Sequence, residues 1–434
     1  MASSIFFRAT FAAVGVYGAF SLLSDDQHRK KILRGQDPVQ PSAGLPKKNA
    51  AFAALGAPTD PSERTGILAT VGNTPLVELK SLKEGTGCRI LLKMEDRNPG
   101  ASVKDRAALY MIEDLERRGL LKPGVTTITE GTGGNTGIGL ALVAKAKGLK
   151  LKLAMPSTIA EEKIKLMQAL GAETLLCPPV PFTNMNHYFH IARALGEQED
   201  HFFTNQFENL WNGAAHYYST APEIWEQTDG QIDGFICAAG TGGTINGVSN
   251  FLKEQNPEIK TYLIDPLGSG LFNAVTDGTY KVVELADGST IKSVTRSAGG
   301  SIAEGIGVTR ITNNFDNARI DGAFQCTNRE TVEMAFYLQH HEGIFIGPSA
   351  ALNVVGAVKL ARSLGYVLDP VVTRFARLLL INCVCICLRP DHVVVTIACD
   401  NGTRYMSKKY SLAWLKEQGL EPNHTDDTSL SWVL

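Results

Sequence analysis

The sequence has no CxxC pair, no HExxH pattern and no zinc-ligand spacing among its 8 cysteines and 9 histidines, which excludes a structural zinc module and a zinc-protease helix. No GK[ST] closes its glycine-rich loops and their spacing is not GxGxxG, so a Walker site and a dinucleotide fingerprint are excluded as well. Net charge is nearly absent: 42 basic against 44 acidic residues leave −2, with no basic stripe carrying aromatics, and nucleic acid is therefore not expected as a partner. The scattered cysteines form no disulfide framework and point to a reducing compartment. Cys383, Cys385 and Cys387 would share one face of a strand, yet no fourth ligand stands near them and no metal is assigned; His340 and His341 read as solvated or packed.

Long apolar runs are scarce, and two stand out. Ile5 to Leu23 is apolar apart from Arg8 and is followed by Arg29, Lys30, Lys31 and Arg34. About 20 apolar residues suffice to span a bilayer. Lacking a small-residue cleavage site and an Arg- and Ser-rich amphipathic pattern, this run reads as an uncleaved membrane anchor, ahead of a cleaved targeting peptide or a disordered extension. The second run lies in Tyr366 to Leu388, between a helix ending near Gly365 and a strand at His392 to Ala398. Connections of that kind usually take about 2 to 6 residues. Gly365, Tyr366 and Val367 are encodable across a GGTATGT splice-donor-like stretch, so 366–388 reads as an aberrant insert, a translated intron.

Between these runs the pattern is regular. Short apolar strands at Arg89 to Met94, Leu149 to Met155, Phe235 to Ala239 and Tyr262 to Asp265 alternate with helical periodicity, the signature of a mostly parallel α/β sheet. With 434 residues and 44% hydrophobic content the chain can bury a large core and carries short extensions beside it. The expected limits are an anchor at 1–24, a linker at 25–64, a catalytic core at 65–422 containing the insert, and a tail at 423–434.

Four separated segments converge on one pocket. In Pro99 to Arg106, Lys104 follows a small-residue turn and opens an amphipathic helix, so its amine can point into a cleft as a Schiff-base lysine requires. Glu130 to Gly137 puts glycines before a helix N-terminus, a loop suited to an anion or a planar polar ligand. Gly240, Thr241, Gly242, Gly243 and Thr244 follow a buried strand and precede a helix near Ile245. Oriented amides, a favourable helix dipole and two hydroxyls make them a phosphate cup, and without a lysine it suits a monophosphate. Ser349, in Glu342 to Ala351, would stand at a helix N-terminus, where an N-cap is its default role.

Together with Ile67 to Lys80 (ILATVGNTPLVELK), these segments in this order resemble the fold type II pyridoxal-phosphate enzymes, in the cysteine synthase and cystathionine β-synthase branch, from about Thr65 to Gly402. The fold that resemblance implies is the two-lobed, tryptophan synthase β-like α/β architecture with mostly parallel sheets. It implies pyridoxal 5'-phosphate (PLP) joined to Lys104, with Asn135 on the ring oxygen, Gly240 to Thr244 on the phosphate and Ser349 at the ring nitrogen. Thr132, Gly133, Gly134 and Thr136 would receive the substrate carboxylate together with Gln206, and Gly305 in Ala303 to Gly307 would line the opposite wall. The implied reaction is β-replacement through an aminoacrylate, giving L-cysteine and acetate from O-acetyl-L-serine and sulfide. The alternatives are β-elimination, as in a cysteine desulfhydrase or serine dehydratase, and a low-turnover PLP-binding scaffold. Gly133 departs from the serine most cysteine synthases carry there, removing a hydroxyl donor. The family implies a homodimer acting on a small amino acid. The anchor with its flanking basic residues resembles those of signal-anchored mitochondrial outer-membrane proteins, with the core facing the cytosol.

Overall fold

The computed structural model describes residues 52–159, 161–364 and 392–434. The anchor run Ile5 to Leu23, most of the linker, the three-cysteine strand and the 366–388 segment all lie outside them. Among the described residues no helix is long and apolar enough to cross a membrane.

The chain opens a sheet with β1 (Leu76–Glu78) and β2 (Arg89–Met94), which pair antiparallel. It then builds a smaller lobe from β3 (Thr127–Gly131), β4 (Lys150–Pro156), β5 (Ala172–Cys177) and β6 (His201–Phe203), all parallel in the order β5-β4-β3-β6. Returning to the first sheet, it adds β7 (Gly234–Cys237) and β8 (Lys260–Pro266). A small antiparallel sheet of β9 (Lys281–Glu284), β10 (Thr290–Ser293) and β11 (Arg310–Ile311) intervenes. Last come β12 (Gly322–Cys326) and β13 (Val393–Ala398), which complete the order β1-β2-β13-β7-β8-β12. Every pairing after β1 in that sheet is parallel.

Strands buried on both faces need continuous apolar sequence, and β7 (GFIC) and β13 (VVVTIA) are buried at every position. β13 joins last in the chain yet lies between β2 and β7, so the sheet closes only when its C-terminal part arrives. The helix Pro348–Leu364 lies against it: Asn353 Nδ2 donates to Ile397 O at 2.8 Å and Thr396 Oγ1 to Asn353 O at 3.3 Å. Helix and strand are thus neighbours, as the sequence reading expected. The stretch set apart in sequence as a tail returns to the core, where Leu430, Trp432 and Val433 are buried.

Candidate active site

A cleft of about 510 Å³ runs between the two parallel sheets. Ligand sites of open α/β sheets lie beyond the carboxyl ends of their strands, and the turns after β3, β7 and β13 all reach this cleft.

Ala101 has a φ of 55°, in the left-handed region that side chains with a Cβ seldom occupy. Ser102 pairs with Asp400 in an isolated antiparallel bridge, so the end of β13 holds this turn. The helix Lys104–Arg117 starts there. The two residues after the lysine are buried anchors: Asp105 Oδ2 accepts from Gly100 N at 2.5 Å, while Arg106 meets Glu95 at 2.7 Å and Glu223 at 2.6 Å. Lys104 is therefore fixed through its backbone, and its amine has no hydrogen bond or ion pair among the described residues. Burial holds that amine below its ordinary range, against the pull of the Cys399 and Cys237 thiols and Asp400. More of it is neutral and nucleophilic near pH 7 than in a surface lysine.

Beyond β7 the chain enters the turn at Gly240 and then the helix Gly243–Gln255. A Cβ on Gly240 would lie 2.1 Å from Gly305 O, and Gly242 has a φ of 85°, so the turn closes tightly only with glycine at both. Thr241 Oγ1 accepts from Asn212 Nδ2 at 3.0 Å, which leaves its hydrogen free for an anion. Thr244 Oγ1 lies 3.2 Å from Nε2 of His216, a histidine that burial keeps neutral.

On the smaller lobe, Thr132 to Thr136 line the cleft. Thr136 Oγ1 donates to Gln206 Oε1 at 2.6 Å. Gln206 Nε2 faces Glu130 Oε1 at 3.3 Å and Gly131 O at 3.4 Å, so both functions of this amide are directed by neighbours. Burial pushes the Glu130 carboxyl up to about 7, opposed by hydrogen bonds from Thr204, Gln206 and Gly131. Across the mouth, Lys163 meets Glu304 at 2.5 Å and joins the two lobes.

Eleven of the fourteen site residues expected from sequence line this cleft: Lys104, Thr132, Gly133, Gly134, Asn135, Thr136, Gln206, Gly240, Thr241, Gly305 and Ser349. Gly242, Gly243 and Thr244 lie behind Gly240 and Thr241, where the helix Gly243–Gln255 begins. Ser349 is the second residue of the helix that Pro348 opens and is 5% exposed. Sequence reasoning did not select Glu130, Asp400 or Arg404. Glu130 is the next-to-last residue of β3 and Asp400 and Arg404 follow β13; charged residues near strand ends were the available signal.

Gly133 faces Ile159, whose Cγ1 and Cδ1 would lie 2.5 Å from an added Cβ. The space a serine would need is thus filled by an apolar side chain. Gly133→Ser is expected to lower stability by about 1–3 kcal/mol, the usual range for overpacking, and Ile159→Ala is expected to recover part of that loss in the double variant. Thermal unfolding of the three proteins checks it; a single variant as stable as the parent would show that Ile159 yields freely.

The pyridoxal-phosphate dependent enzyme family matches residues 67–373, more than half of the chain. A cysteine synthase of Dictyostelium discoideum is 46% identical over 370 residues, covering 85% of this chain and 89% of that protein. Among solved structures, a hydrogen sulfide-producing enzyme of Fusobacterium nucleatum is similar with a TM-score of 0.64 and 31% identity, over 79% of this chain and 99% of that one. An O-acetylserine dependent cystathionine beta-synthase of Helicobacter pylori has a TM-score of 0.63 and 30% identity, over 80% and 98%.

Proposed function

Because the chain belongs to the pyridoxal-phosphate dependent enzymes, we propose that it is a cysteine synthase, which replaces the acetate of O-acetyl-L-serine by sulfide to give L-cysteine. The observation that carries this reading is the Lys104 amine, which has no partner among the described residues, in a cleft that also holds a glycine-rich, helix-capped cup.

The residues present fit PLP. Lys104 supplies an amine whose pKa burial lowers, as joining to an aldehyde needs. Gly240 to Thr244 offer backbone N–H groups, the positive end of a 13-residue helix and the free Thr241 hydrogen to a phosphate. Asn135 offers an amide to the ring oxygen, and Ser349 offers a neutral hydroxyl to the ring nitrogen. When bound, the cofactor withdraws electrons from the substrate α-carbon and acidifies its proton.

The remaining roles belong to the chain. Thr132, Gly133 and Gly134 form the loop that receives the substrate carboxylate, with Thr136 and Gln206 holding its geometry through their mutual hydrogen bond. Lys104 Nζ, once free, takes the α-proton. Ser349 would meet the ring nitrogen with a neutral hydroxyl rather than a carboxylate, and so would add no negative charge beside the ring. The Lys163–Glu304 pair and Gly305 cover the mouth and limit entry of water. Purified protein given O-acetyl-L-serine and then sulfide tests the reading by cysteine formation. Pyruvate and ammonia with no cysteine would favour β-elimination instead.

Three further parts of the proposal concern the whole chain. The run Ile5 to Leu23 tethers it to the mitochondrial outer membrane with the core facing the cytosol; carbonate-washed membranes should retain it, and protection from protease in intact mitochondria would refute this orientation. The enzyme is a homodimer, which sedimentation of the purified protein tests against a monomer. Residues 366–388 are absent from the mature protein, since the helix and strand they separate are adjacent. Deleting them should raise soluble yield and keep PLP bound. A dominant transcript that retains them, with loss of PLP on deletion, would overturn this.

A further inference from the structure

The Asn135 side chain stands between two opposite charges. Arg404 Nη1 donates to Asn135 Oδ1, and Arg404 Nη2 donates to Gly100 O. From the other side of the amide, Asn135 Nδ2 donates at 2.7 Å to Asp400 Oδ2, an oxygen that also accepts from Tyr405 OH at 2.6 Å. Asp400 is fully buried, and its Oδ1 abuts Gly347 so closely that a Cβ there would be 2.0 Å away. Neither partner is free to turn aside: one is packed in place, and the other also holds the turn before Lys104.

The oxygen and nitrogen of a side-chain amide are similar in size and opposite in hydrogen-bonding sense, so partners alone decide which way it points. Rotating Asn135 by half a turn would set its oxygen against the Asp400 carboxyl oxygen and its NH₂ against the guanidinium. Two charge-assisted hydrogen bonds would become two repulsive contacts. The observed direction commits Oδ1 to Arg404 and one Nδ2 hydrogen to Asp400. One Nδ2 hydrogen remains for a ligand in the cleft that Asn135 lines. A guanidinium on Oδ1 also draws electrons through the amide and strengthens that last N–H as a donor.

We propose that Asp400 and Arg404 are positioning residues that fix the direction of the Asn135 amide, so that it presents N–H and never C=O to the ring oxygen of the cofactor. This rests on the reading of the cleft as a PLP site. Neither residue touches the cofactor in this role; each acts through Asn135.

The test uses the full chain, its visible absorption spectrum with PLP bound, and the PLP dissociation constant from titration of the apo form. Asn135→Ala is expected to shift the band and weaken PLP. Arg404→Met should shift it in the same direction and weaken PLP by about 10-fold, the scale of one charge-assisted hydrogen bond. Arg404→Lys, which keeps the charge, should recover most of that loss. The double variant Arg404→Met/Asn135→Ala should bind PLP no more weakly than Asn135→Ala alone, because the arginine has nothing left to orient. A general structural role would lower the unfolding temperature and give losses that add. Additive losses, or a parental spectrum and affinity in Arg404→Met, would overturn the inference. If Arg404→Met does not fold, the same cycle is run with Asp400→Asn, which keeps an acceptor and drops the charge, and additivity there counts equally against it. A parent protein that binds no PLP refutes the cofactor reading itself, and is told apart by that first titration.

Discussion

Replacing Lys104 by alanine abolishes the borohydride-reducible attachment of PLP and lowers turnover by about 10²–10⁴-fold or more, the scale of losing a positioned base. The physical basis is the amine's isolation: among the described residues no carboxylate or carbonyl holds it, while Asp105 and Arg106 pin the backbone beside it. A buried amine without a partner lowers stability in the empty protein. Lys104→Met keeps the stem and removes the amine, so its apo form should melt at or above the apo parent. Reduction with borohydride followed by peptide mapping checks the first expectation, and calorimetry of the two apo proteins checks the second. An undiminished reducible adduct in Lys104→Ala would assign the attachment to another residue. A lower melting temperature in Lys104→Met would mean that the amine is satisfied in solution.

The second large effect is expected at Gly240. Its added Cβ would sit 2.1 Å from Gly305 O and 3.1 Å from Gly305 C, and both obstacles are backbone. A side chain can swing away, but here the turn after β7 or the Gly305 turn has to move, and either shift opens the cup. Gly240→Ala should therefore weaken PLP by at least about 100-fold, roughly the 3 kcal/mol end of overpacking, with helical content retained. Gly300→Ala is the matched control, since nothing lies within 4 Å of its would-be Cβ. Titration of the apo forms with PLP measures both. Parental affinity in Gly240→Ala would show that these two turns separate without loss, and that the close approach is not what shapes the site.

The two substitutions also differ in how far they were legible before folding. Lys104 stands out because a turn and an amphipathic helix meet at that residue, and the helix does begin at Lys104. β2 runs over the same residues, Arg89–Met94, that its apolar run marked, and β4 is displaced by one, at Lys150–Pro156. Such features arise from neighbours a few residues apart. The obstruction at Gly240 was not legible, because Gly305 belongs to a distant turn and only packing of the lobe brings its carbonyl near. The glycine-rich strand-to-helix turn itself was, but its division into Gly240 and Thr241 at the wall and Gly242 to Thr244 behind them depends on the helix axis.

Gln206 illustrates the boundary. Resemblance marked it as a contact for the substrate carboxylate, and it does line the cleft. Its amide is nevertheless turned by Thr136 and Glu130, 70 and 76 residues away. Glu130 itself read as the first residue of the glycine-rich loop, yet it lies within β3, and burial with several donors converts it into the support of that amide.

By itself, then, the sequence determined the alternation of strands and helices, the order of the cofactor segments, the start of the Lys104 helix and the chemistry of each loop, since turn preference and apolar periodicity act over a few residues. Tertiary structure alone decided which side chains face one another: the seat of β13 between β2 and β7, the isolation of the Lys104 amine, and the hold of Asp400 and Arg404 on Asn135 across 265 and 269 residues. The direction of an amide and the pKa of an amine follow from charge and burial within a few ångströms, and those neighbours exist only once distant segments have packed.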